Sequence, residues 1–175
     1  MTVILMPFLN PLNANTMTSI VINQTVPDFT AQATSDKTIQ LSDYVGKNIV
    51  LYFYPKDNTP GCTQEGQAFK AHFSEFTDLN CVIFGVSRDS IRVHEGFKCK
   101  QEFPFELISD NEEQLCQLFD VIKMKNMYGK QVRGIERSTF LINSEGILVY
   151  EWRKVKVTNH VTEVLKQLQH LGTQI

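Results

Sequence analysis

The sequence has little of what would place it in a specialised class. Lys and Arg number 17 against 19 Asp and Glu, a net charge of -2, so no basic excess draws the chain to nucleic acid and no acidic tail marks a solvating segment. No apolar run reaches the roughly twenty residues that a membrane-spanning helix needs. Cysteine is scarce: four residues, at 62, 81, 99 and 116, are too few for a secreted disulfide scaffold. There is no Cys-x-x-Cys pair, and no cysteine has another cysteine or a histidine within four residues, which argues against a structural zinc site. Internal repeats and low-complexity tracts are absent as well. What is present, 42% hydrophobic and 21% charged residues in 175, is ordinary for one globular domain. A chain of this size buries roughly 70% of its unfolded surface and needs no disulfide or metal to fold. The expectation is a monomer of the reducing cytoplasm, with no metal or organic cofactor and no nucleic-acid or membrane partner.

The first seventeen residues, MTVILMPFLNPLNANTM, carry no charged side chain, and Pro7, Asn10 and Pro11 break their apolar run. A secretory signal has a positive start and a longer apolar stretch. Residues 1–19 therefore read as a flexible leader, or as a start assigned too early with Met17 the true beginning, and residues 20–172 as the folded domain.

Strand and helix signals alternate along that domain. Ile49–Tyr54 and Cys81–Val86 are near-continuous apolar runs of strand length, as expected of strands covered on both faces. Between them Phe69, Phe73 and Phe76 recur at helical spacing. Residues 90–102 and 111–119 read as further helices, the second with Leu115, Cys116 and Phe119 on one face. Ser138–Ile142 and Ile147–Trp152 read as strands joined by a hairpin that ends on Gly146. A last helix shows Val161, Val164, Leu165 and Leu168 at helical spacing, and residues 126–134 read as a long surface loop. The order predicts an α/β three-layer domain with a mixed sheet, strands 49–54 and 81–86 lying parallel.

The chemistry concentrates in the turn after the first buried strand, Pro55-Lys-Asp-Asn-Thr59-Pro60-Gly61-Cys62-Thr-Gln-Glu65. The carboxyl end of a strand in an open α/β sheet is the default place for a site. Thr59 suits a helix N-cap and Pro60 the first helical position, which puts Cys62 in the helix's opening turn, where unpaired amides and the dipole favour a thiolate. Cys62 has polar and turn residues around it and joins no apolar pattern, whereas Cys81 and Cys116 lie on apolar faces.

Pro55-x-x-x-Thr59-x-x-Cys62 resembles the active-site motif of the peroxiredoxins, thiol peroxidases on a thioredoxin-like fold. Val26-Pro-Asp-Phe-Thr30 is similar to the opening of that family's domain. Gly61-Cys-Thr-Gln-Glu65, Ser87-Arg-Asp-Ser90 and Arg137-Ser-Thr-Phe-Leu-Ile142 resemble its bacterioferritin comigratory protein, or PrxQ, branch, over about residues 20–170. The resemblance implies roles. Cys62 is the peroxidatic cysteine, oxidised by peroxide to a sulfenic acid. Arg137 holds the thiolate and the charge on the departing oxygen, Thr59 offers its hydroxyl to both, and Pro55 shields the pocket. Glu65 reads either as the group that orients Arg137 or as a solvated helix glutamate.

Many members of that branch carry a second cysteine five residues after the first, where this chain has Gln67. Others place it in the following helix, about one residue from the position of Cys99, whose flanking Lys98 and Lys100 imply exposure. Two routes stay open: a disulfide between Cys62 and Cys99 recycled by thioredoxin or a similar dithiol, and a one-cysteine route in which an outside thiol reduces the sulfenic acid directly. A bridge needs Cα atoms within about 7 Å, so the first route requires local unwinding of a helix. A catalytically silent binding module of the same fold is the reading from another class. A dithiol electron carrier would need the missing Cys-x-x-Cys, and a Cys/His hydrolase a histidine placed as general base. His72, His94, His160 and His170 are scattered and read as surface residues, and Met124, Met127 and Tyr128 as loop packing or an apolar rim to the pocket.

Overall fold

The computed structural model describes residues 18–173, and residues 1–17 of the expected leader lie outside it. In chain order the elements are β1 (Thr30–Ala33), β2 (Lys37–Gln40), β3 (Asn48–Phe53), α1 (Pro60–Ala71), α2 (Phe73–Asp78), β4 (Cys81–Ser87), α3 (Ile91–Gln101), β5 (Glu106–Ser109), α4 (Gln114–Leu118), β6 (Ile122–Met127), β7 (Lys130–Ile135), β8 (Ser138–Ile142), β9 (Leu148–Trp152) and α5 (His160–Gly172). Seven strands form a mixed sheet in the order β2-β1-β5-β4-β3-β8-β9. β3 sits inside it, parallel to β4 and antiparallel to β8.

The period-2 alternation of β3 builds both faces of the core. Val50, Tyr52 and the following Tyr54 point into a cluster with Phe69 of α1, Phe76 of α2, Phe97 of α3 and Val164 of α5. Ile49, Leu51 and Phe53 point the other way, to Leu115 and Cys116 of α4 and to Phe29 and Leu41. This is the expected three-layer α/β arrangement, with β3 and β4 parallel and β8–β9 an antiparallel hairpin. Among the described residues no helix is long and apolar enough to cross a membrane.

Several expectations need correction. Residues 126–134 are not a loop: they form most of the β6–β7 hairpin, which turns at Tyr128 and Gly129, both at positive φ. The hairpin is tied to the body where Arg133 pairs with Glu113, which also binds Arg88 at 3.1 Å. Met124, Met127 and Tyr128 do not pack; they are among the most exposed apolar side chains of the described fold. The phenylalanine-bearing helix breaks at His72 into α1 and α2, although Phe69 and Phe76 are buried on either side. The helix expected over 111–119 is only Gln114–Leu118, because Glu113 at its N-cap is left-handed at φ 61.

Two histidines expected at the surface are buried. His94 is fully enclosed, and His160 packs edge-on against Trp152 with Nε2 2.8 Å from the Thr139 hydroxyl. Burial, helped by the charge of Arg137, brings the His160 imidazole down to about 4.

Candidate active site

Register puts the site together. Phe53, the last residue of β3, pairs with Ser138, the first of antiparallel β8, so Arg137 arrives at the carboxyl end of β3, where that strand gives way to the turn before α1. Thr59 is extended, with φ -92 and ψ 152, and Pro60 opens the helix. Cys62 follows in the first turn, where orphan amides and the dipole favour negative charge. The residue is 3% exposed and joins the apolar cluster of Tyr52, Tyr54 and Phe69, although its sequence neighbours are polar and turn residues.

The Arg137 guanidinium bridges two groups on that helix. Nη2 donates to Cys62 Sγ at 3.4 Å and Nη1 donates to Glu65 Oε1 at 2.8 Å. Cys62 and Glu65 stand three residues apart and share one helix face, so a single planar fork reaches both. Gly61 makes room for it: a Cβ there would stand 3.2 Å from Nη2. Lys125 of β6 adds a half-buried positive charge near the same sulfur, its Nζ donating to the Ile135 carbonyl. Gly61 stands within the motif, while nothing in the sequence marks Lys125, which lies just before the expected loop at 126–134.

Glu65 is unusual. Its side chain is fully buried, and Oε2 has no hydrogen-bond partner among the described residues. Burial pushes the carboxyl up to about 7, against the pull of Arg137. Between the ordinary carboxylate value and about 7 the folded state therefore holds a proton that the unfolded chain has released, so stability falls as pH rises through that window. A displacement of this size corresponds to roughly 3 kcal/mol. His160 acts with the opposite sign over an overlapping range, so the informative comparison is between variants. Urea unfolding of Glu65→Gln is expected to remove the Glu65 share of the decline between pH 5 and 8, even if the buried amide lowers stability throughout. Parallel pH curves for the two proteins would contradict this account of Glu65.

Thr59 is the N-cap of α1, but its hydroxyl donates to the Lys56 carbonyl at 2.7 Å and not to the sulfur. The turn's own backbone competes for that donor, as it often does for Ser and Thr near helix starts. Pro55 is half-buried beside the turn. Cys81 and Cys116 are buried, and burial pushes the Cys81 thiol up to about 12 and that of Cys116 higher still.

Cys99 is a free, exposed thiol on the last turn of α3. Its neighbour Lys98 is engaged by Glu106 at 2.8 Å and by the Ser35 hydroxyl. The end of α3 is keyed to the middle of α1: Gln67 Nε2 donates to the Gln101 carbonyl at 3.1 Å, as does Lys70. Gly66 packs so closely that an added Cβ would lie 2.3 Å from the Phe103 ring. The fold thus brings Cys62, Glu65 and Arg137 together and leaves Cys99 unpaired beyond that junction.

The chain matches the AhpC/TSA family over residues 22–151. It is 51% identical over 154 residues to peroxiredoxin Bcp of Bacillus subtilis, covering 88% of this chain and 98% of that protein. To peroxiredoxin Bcp of Xanthomonas campestris it is 57% identical over 129 residues, 74% of this chain and 81% of that one. The solved Xanthomonas campestris bacterioferritin comigratory protein, described for alkyl peroxide reduction in trapped intermediate and ligand complexes, superposes with a TM-score of 0.79 at 50% identity, covering 83% and 92% of the two chains. PrxQ of Xylella fastidiosa gives a TM-score of 0.84 at 43% identity, covering 89% and 99%.

Proposed function

The chain belongs to the AhpC/TSA family, in its Bcp/PrxQ branch, and from that premise we propose that it reduces hydrogen peroxide and alkyl hydroperoxides through Cys62, with thioredoxin or a similar dithiol as the final reductant. The observation that carries the proposal is the 3.4 Å contact from Arg137 Nη2 to Cys62 Sγ in the first turn of α1.

In the proposed cycle the Cys62 thiolate attacks the terminal oxygen of the peroxide. An S–O bond forms, the O–O bond breaks, and the departing alkoxide or hydroxide takes a proton from solvent to leave as alcohol or water. Sulfur is oxidised to a sulfenic acid and the peroxide is reduced. Charge moves from sulfur to the leaving oxygen, so a fixed guanidinium beside that line lowers the barrier without reorganising. The Cys99 thiol then displaces water from the sulfenic sulfur to form a disulfide, and dithiol exchange restores both thiols. This step requires α1 or the end of α3 to unwind from the Gln67–Gln101 junction, an opening of the kind exposed helix ends undergo.

Cys99→Ser is the experiment that separates the two recycling routes. The variant is expected to make its sulfenic acid at the wild-type rate in one turnover, to form no internal disulfide, and to lose steady-state turnover with a dithiol reductant by about 10-fold or more. An unchanged steady state would establish the one-cysteine route in its place.

A further inference from the structure

A second polar constellation lies at the same carboxyl end of the sheet, and no step above uses it. Asp57, midway between Pro55 and Thr59, and His94, on the first turn of α3, have side chains with no exposure at all. His94 Nδ1 stands 2.6 Å from Asp57 Oδ2, and Nε2 stands 2.9 Å from the Ile108 carbonyl of β5. A carbonyl only accepts, so Nε2 carries a hydrogen, and a further proton lies between Nδ1 and the carboxylate. Asp57 Oδ1 accepts from the Tyr54 hydroxyl at 2.7 Å. The Asp57 N–H donates to Asp89 Oδ2 at 3.0 Å, an oxygen that also accepts from Ser87 Oγ at 2.6 Å.

Asp57, Asp89 and His94 stand close enough to suggest a cation site. Yet both nitrogens of His94 and both oxygens of Asp57 already have partners within the protein, so the cluster is closed and structural in character. What it joins is informative. One buried pair fastens the turn that presents Cys62 to the helix that carries Cys99, and anchors both to the ends of β3, β4 and β5. α3 is held unevenly as a result. Its first turn is secured by a dry, fully partnered pair and the Ser90 cap, while its last turn ends on Glu102 in the left-handed region at φ 55 and is tied by partly exposed polar groups.

Building on the peroxidase reading, we infer that Asp57 and His94 are positioning residues for the peroxide step: the pair holds the Pro55–Thr59 turn in register with Arg137 and confines the opening of α3 to its Cys99 end. Thr59 and Pro60 set where α1 begins, so a turn released at Asp57 shifts the Cys62 sulfur relative to the guanidinium. Displacements of about 1 Å are enough to slow a reaction by up to about 100-fold.

The test separates the peroxide step from recycling by working in the Cys99→Ser background, and reads amide hydrogen exchange alongside it. Asp57→Ala is expected to slow sulfenic acid formation by about 10- to 100-fold and to speed exchange over residues 91–97 in the reduced protein. Asp57→Asn is the rescue. Its amide can accept from Tyr54 and donate to an unprotonated Nδ1 while Nε2 still donates to Ile108, so it is expected within about 3-fold of the parent. Should Asp57→Ala not fold, His94→Gln, which can reach Asp57 but not also Ile108, is expected to slow the same step and loosen the same amides. A folded Asp57→Ala with an unchanged peroxide step, or an Asp57→Asn no better than alanine, would overturn the inference. Failure of the peroxidase reading looks different: the parent itself would then leave peroxide untouched, whatever the exchange pattern.

Discussion

Cys62→Ser is expected to reduce peroxide turnover by at least about three orders of magnitude, to the level of the uncatalysed reaction with the remaining thiols. Serine is close in shape to the side chain it replaces, and the site is 3% exposed, so the fold should persist. What is lost is chemical: a hydroxyl at neutral pH is neither anionic nor a strong nucleophile toward an O–O bond. No other cysteine is placed to compensate. Cys81 and Cys116 are buried with their thiols pushed up, and Cys99 has no guanidinium donor at its sulfur among the bonds of the described residues. Peroxide consumption followed with an excess of dithiol reductant reads this directly, and a variant retaining a tenth or more of the wild-type rate would remove Cys62 from the reaction.

Arg137→Met is the second large effect. Removing one fixed donor aimed at developing charge slows acyl-transfer enzymes by about 10²–10³-fold, and a loss of the same order is expected here for sulfenic acid formation. The usual objection, that deleting one member of a buried ion pair unfolds the protein, is weaker at this site. Without Arg137 the carboxyl of Glu65, already at about 7, keeps its proton and buries no charge. Arg137→Lys is expected to recover only part of the rate, because one ammonium cannot serve both Sγ and Glu65 Oε1 in the geometry of the fork. Stopped-flow measurement at neutral pH checks both, and a methionine variant within about 3-fold of wild type would show that the guanidinium is a bystander.

How much of this was legible in the sequence depended on burial. β3, β4 and β8 are enclosed on both faces, so their residues are apolar in unbroken runs and their extent was readable. β1 and β2 are four residues each, with one fully buried side chain apiece, too little for periodicity to register. The β6–β7 hairpin was missed because most of its side chains face solvent and its turn is Tyr-Gly, not Asn-Gly or Asp-Gly. The break between α1 and α2 was invisible because Phe69 and Phe76 keep helical spacing across His72.

The site divides in the same way. Cys62 at a helix start followed from Thr59, Pro60 and the strand before them, which is local information. That Arg137 meets it depends on β8 lying antiparallel beside β3 in one register, and only the family motif pointed there. His94 did carry a signal, since it stands three residues before Phe97 and both are buried on one face of α3. A lone histidine in a polar stretch does not reveal that Asp57, so far away in sequence, is its partner.

The central claim is that the sulfur of Cys62 takes the oxygen. Its most direct test is to give the reduced wild-type protein one equivalent of peroxide, alkylate the remaining thiols, and read each cysteine by peptide mass spectrometry. Cys62 is expected to lose its alkylatable thiol first, linked to Cys99 or carrying one added oxygen, with Cys81 and Cys116 still free. A Cys62 that alkylates fully while another cysteine is oxidised would contradict the account.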